Sequence, residues 1–172
     1  SCPGDRLYAW VRQGAPRPGG SPSTGGLEGD EMGQYVNVGI NAAQDLPPNT
    51  WRTIEWGKEY SDNHHHHWDK GGSSVVTGPA KYAVRASVRI TGLPPGTEGQ
   101  IRITGVNAED GSEREPGPIQ EFTASAGDTF VLYANPIERV GKGHKARVEI
   151  IQYGTETARI VSGNLKANVY PE

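Results

Sequence analysis

Cysteine, methionine and phenylalanine are nearly missing from this chain, and each shortage removes a class of explanation. One cysteine, Cys2, in 172 residues rules out an internal disulfide framework, leaving a free thiol or a bond between copies. The single Met and two Phe leave few large flexible or aromatic groups for a helical core. Apolar runs are only a few residues long, too short for a membrane-spanning helix. There is also no excess of base. Lys and Arg number 17 against 20 Asp and Glu, for a net charge of −3, and the two signs are interspersed. A nucleic-acid surface would show a basic face instead.

Catalytic signatures are equally scarce. No Gly-x-Ser-x-Gly is present, the glycine-rich stretch lacks the Gly-Lys-Ser/Thr ending that cradles phosphate, and Cys2 has no activating neighbour. Glu55 with Glu59, and Glu113 with Glu115, are carboxylates close in sequence. No row of aromatics accompanies either pair to hold a sugar across them. We therefore expect no catalytic residues and no enzyme. The opening Ser1-Cys2-Pro3-Gly4-Asp5 leads into no basic stretch followed by an apolar run, so no secretion signal is expected and synthesis in the cytoplasm is.

What is present is turn and strand chemistry. The chain holds 24 Gly and 13 Pro, while Val, Ile and Thr recur through its second half, a β composition. Apolar residues make up only 34%. A core this thin suggests either that part of the chain stands outside it or that burial is completed against further copies.

Residues 1–34 separate from the rest. Residues 14–26, rich in Gly, Pro and Ser, read as a linker with no core-forming pattern. Ahead of them Leu7, Tyr8, Trp10 and Val11 form a small apolar group. It serves either as an anchor that docks on another protein or as a patch that folds back on its own domain.

Residues 35–172 alternate with period two. Val36, Val38 and Ile40 share one parity, as do Ile54 and Trp56 after a Pro-rich turn. Tyr82, Val84, Ala86, Val88 and Ile90 share the inward side of the cleanest strand, with Arg85, Ser87 and Arg89 outward. Ile101 and Ile103, Phe122, residues 129–134, residues 146–153 and residues 158–170 supply further strands. Residues 107–118 read as a polar loop. About eight short strands at this spacing predict an all-β antiparallel jelly-roll sandwich behind an extended N-terminal arm. Such a sandwich must protect its outer strands, and association of copies is one way.

His64, His65, His66 and His67 stand together, flanked by Asp62, Asn63, Trp68 and Asp69. Imidazole is a good ligand for a divalent metal, and one ring per copy around a threefold axis would make a three-nitrogen site. Otherwise the rings pair with Asp62 or Asp69 or stack on Trp68 in a solvated loop. They could also form a pH-sensitive contact. Trp68, with Asp62 and Asp69, is the candidate binding group, since binding residues concentrate on loops held by a rigid scaffold.

The order of segments carries a resemblance. Asn49-Thr50-Trp51-Arg52-Thr53-Ile54-Glu55-Trp56 follows a Pro-rich turn, then Glu59-Tyr60-Ser61-Asp62 in a polar acidic loop. Gly78-Pro79-Ala80-Lys81-Tyr82 next leads into the long alternating strand, and residues 146–153 and 158–170 form a closing hairpin. This resembles the tumour-necrosis-factor/C1q-like jelly roll over about residues 35–172. More narrowly, it resembles the C1q-like modules of minor tail, fibre and head-decoration proteins in actinobacterial tailed phages. The resemblance implies a homotrimer in a virion, with residues 1–34 docked on other virion proteins and the β-domain projecting outward. The alternative expectation is a host-attachment module that binds a receptor or cell-surface glycan through Trp68 and the histidine loop. Neither nucleic acid nor membrane is expected as a partner, nor any cofactor other than a divalent metal at residues 64–67.

Overall fold

The computed structural model describes residues 33–67 and 73–172, in which twelve strands follow one another. They are β1 (Gln34–Gly39), β2 (Gln44–Leu46), β3 (Arg52–Thr53), β4 (Lys58–Asp62), β5 (Ser74–Thr77) and β6 (Ala80–Thr91). Then come β7 (Glu98–Asn107), β8 (Glu113–Thr123), β9 (Thr129–Ala134), β10 (Glu138–Val140), β11 (His144–Gln152) and β12 (Ala158–Pro171). No helix occurs among the described residues.

One sheet runs β10-β6-β12-β1-β4, with β9 also on β6 and β2 on β12; the other runs β3-β11-β7-β8, with β5 on β11. Every strand pairing is antiparallel. The two sheets face each other as a jelly-roll sandwich.

Strand parity decides what fills the space between them. On β6 the side chains of Tyr82, Val84, Ala86, Val88 and Ile90 are buried, as the alternation predicts, and Lys81 and Arg85 are exposed. From the second sheet Ile101 and Ile103 of β7 and Val148 and Ile150 of β11 meet them, with Ile54 and Trp56 fully enclosed. The core is thus closed by one chain's own strands. Its thinness in sequence reflects the many polar residues on the outer faces, and no further copy is needed to complete it.

Three sequence expectations change. Twelve strands replace about eight, because β2, β3, β5 and β10 are too short to register as periodic. Residues 107–118 are not one loop: Gly111, at φ 75°, closes a tight turn through its N–H to the Asn107 carbonyl (2.8 Å), and β8 begins at Glu113. Pro116 and Pro118 fit because β8 is the outer strand of its sheet, where a missing N–H costs no ladder bond, and two register shifts against β7 absorb them. Likewise the polar run expected as an acidic loop is β4, an outer strand whose polarity reflects exposure.

Candidate functional site

The histidine loop is built by Asp62. This residue ends β4, and its carboxylate accepts the backbone N–H of His66 through Oδ1 (2.9 Å) and of His67 through Oδ2 (2.6 Å). One side chain thus folds the chain back on itself within five residues, with His65 left-handed at φ 59°. The turn divides the four histidines. His64 and His65 face solvent, while His66 and His67 are buried.

His66 is held on every side. Its Nδ1 accepts the backbone N–H of Thr77 at the end of β5 (3.1 Å), and its Nε2 lies 2.7 Å from Gln34 Oε1 at the start of β1. Its carbonyl accepts the hydroxyls of Ser74 (3.3 Å) and Thr77 (3.4 Å). A backbone N–H can only donate, so Nδ1 is unprotonated and Nε2 carries the ring proton toward Gln34. Burial pushes its pKa below the ordinary histidine value; Asp62 opposes that shift and His64 adds to it. The His67 ring lies beside the Glu59 carboxylate, with Nδ1 3.1 Å from Oε1. Asp62 is thus met by the backbone N–H groups of His66 and His67, while the His66 ring bonds Gln34 and Thr77 and the His67 ring bonds Glu59. Among the described residues no three His, Cys, Asp or Glu side chains converge as a metal site. Trp68 and Asp69, and the apolar group Leu7, Tyr8, Trp10 and Val11, lie outside the described residues.

A second feature escaped the sequence reading. On β9, Val131 and Tyr133 point into the core, while Phe130 is 71% exposed and Leu132 67% exposed. Ile119 of β8 and Ile137, just beyond β9, are also exposed. The two strands are tied together, although they belong to different sheets. The Gln120 side-chain amide donates to the Leu132 carbonyl, and the Tyr133 hydroxyl donates to the Pro118 carbonyl (2.7 Å). The result is an apolar margin along one side of the sandwich. Its sequence signal is Phe130-Val131-Leu132-Tyr133, which is apolar at both parities. A strand whose two faces are both apolar is one whose two faces are both to be covered.

The third feature is a charge cluster on the outer face of the second sheet. Glu149 is buried, and its Oε1 accepts Arg102 Nη2 (2.8 Å) and Nε (3.0 Å) and the Thr104 hydroxyl (3.1 Å). Its Oε2 accepts Arg147 Nε (2.9 Å). The Arg102 guanidinium lies 4.0 Å from the Trp51 ring centroid, in cation–π contact. Both Glu149 oxygens are engaged, so the cluster ties β7 to β11 on this face. Trp51 is thereby placed on an Arg, and Trp56 in the core.

No family model and no curated protein matches the sequence. Solved structures do. The chain is similar to murine APRIL at TM-score 0.50 and 11% identity, over 78% of this chain and 99% of that one. The globular domain of zebrafish complement 1qA aligns at TM-score 0.46 and 12% identity, covering 77% and 94%. Eiger TNF from S. frugiperda aligns at 0.48 and 7%, covering 78% and 92%. At 11% identity the likeness to murine APRIL is one of fold, in keeping with the all-antiparallel jelly-roll sandwich.

Proposed function

We propose that this chain is a non-enzymatic structural module that works as a homotrimer. In this reading residues 1–34 anchor it to a larger assembly, a phage particle, with the β-domain outward. The observation that carries self-association is the apolar margin. Phe130 and Leu132 stand largely in water on a strand whose other face is packed, although the core needs nothing from outside. Large apolar side chains exposed side by side mark an interaction site, and an outer strand bearing them calls for cover. A second copy supplies that cover in a closed cyclic assembly. The phage setting is supported by the segment order around Trp51–Trp56 and Gly78–Tyr82 and by the arm that precedes the domain. A non-enzymatic role is supported by the site itself: the buried carboxylates of Asp62 and Glu149 and both buried histidines are spent on internal hydrogen bonds.

Native mass measurement of the full chain tests this. Three copies are expected, and the double variant Phe130→Glu/Leu132→Glu is expected to run as a folded monomer. A wild-type chain that stays monomeric at micromolar concentration overturns the proposal.

A further inference from the structure

The geometry points to His66 as an acid-sensitive latch that joins the start of β1 to the end of β5 and opens when its ring takes up a second proton. Gln34 belongs to the first sheet and Thr77 to the second, so this ring bridges the two layers at one end of the sandwich. It does so with one donor and one acceptor, a pattern only the neutral imidazole can offer. Protonation puts a hydrogen on Nδ1, facing the Thr77 N–H. One hydrogen bond is lost, and two donors are left pointing at each other in a half-buried place.

The surroundings favour this response. From β4 the charged neighbours are Asp62, whose carboxylate is already occupied by two backbone N–H groups, and Glu59, which lies against His67. The loop adds His64 and His67. Among the described residues with bonds to the His66 ring or carbonyl, β1 and β5 contribute only neutral partners, namely Gln34, Ser74 and Thr77. Asp62 attracts the imidazolium, but burial and His64 oppose it more strongly, and the pKa is lowered. With the folded value below the unfolded one, the latch contributes fully above the unfolded pKa of about 6.5. As pH falls below that value the unfolded chain binds the proton first, and the contribution drains away until the folded pKa is passed.

The experiment uses the full chain and His66→Gln, whose amide offers one donor and one acceptor and does not titrate. Amide exchange at Thr77, corrected for intrinsic rate, is followed from pH 7 to pH 4 together with the His66 ring carbon shifts. In the wild type the Thr77 amide is expected to lose about tenfold of its protection, in step with ring protonation. In His66→Gln it is expected to stay constant. Thr77 protection that persists in the wild type while the ring protonates overturns the latch. So does an identical acid loss in the variant. Both readouts are local, so they hold whether the chain proves monomeric or trimeric.

Discussion

At the scale of single residues, buried polar groups here serve the sheets' irregularities. Where β7 and β8 slip register between Arg102 and Thr104, Ile103 has no partner on β8, though it keeps Val148 on β11. The Tyr133 hydroxyl accepts the Ile103 N–H (3.2 Å) while donating to the Pro118 carbonyl. Tyr133→Phe therefore leaves a buried N–H unpaired and is expected to cost about 1–3 kcal/mol, read as a lower denaturant midpoint with unchanged slope. Burial raises the Tyr133 pKa from 10.0 to about 12, with the Ile103 hydrogen bond pulling the other way and Glu138 adding to the rise. Because the folded value exceeds the unfolded one, the unfolded chain loses the phenolic proton first. Stability should thus hold up to about pH 10 and decline above it. The Phe variant should lack that alkaline component when midpoints at pH 9 and pH 11 are compared. Glu149 presents a second case. Glu149→Ala removes the buried carboxylate that Arg102 and Arg147 share, leaving Arg102 only Glu113 (3.3 Å), and a loss of about 3 kcal/mol is expected in the same measurement.

At the scale of elements, the outer strands depart furthest from what composition suggests. Central β6 was legible because one face is packed and the other wet, so Tyr82 to Ile90 alternate cleanly against Arg85 and Arg89. Outer strands β4 and β8 were not, since exposure makes them polar and lets Pro116 and Pro118 sit in a strand. The apolar margin was half legible. Phe130 and Leu132 lay in a segment assigned to a strand, yet their parity opposite Val131 and Tyr133 was not turned into a covered face. The histidine loop resisted for a different reason. Four identical side chains in a row carry no sign of which turns inward. That is decided by Asp62 and by Gln34 and Thr77, which lie 32 and 11 residues from His66. Central β12 offers a direct test of how tightly it packs against its neighbours in the first sheet. A Cβ on Gly163 would come within 2.8 Å of both Ile40 Cδ1 and the Ser87 carbonyl oxygen. Gly163→Ala is expected to cost about 1–3 kcal/mol through overpacking, seen as a lower thermal midpoint with the strand signature in circular dichroism retained.

At the scale of the whole molecule, a core closed within one chain and an apolar margin left outside it make distinct demands. Were the margin part of the core, separating the copies would unfold them, as in obligate oligomers. Here Trp56, Tyr133, Leu46 and the isoleucines of β7 and β11 are enclosed without any partner, so a lone copy retains its fold. On the proposed homotrimer, association would add stability by mass action, because only the folded chain presents Phe130 and Leu132 on one ordered strand. The thermal midpoint of the wild type should accordingly rise with protein concentration. In Phe130→Glu/Leu132→Glu it should be independent of concentration and converge on the wild-type value at high dilution, since both substitutions sit in water in the monomer. Differential scanning calorimetry over a hundredfold concentration range measures both. A variant that melts far below the diluted wild type would show that the margin supports the monomer itself. A concentration-independent wild type would show that copies do not meet there at all.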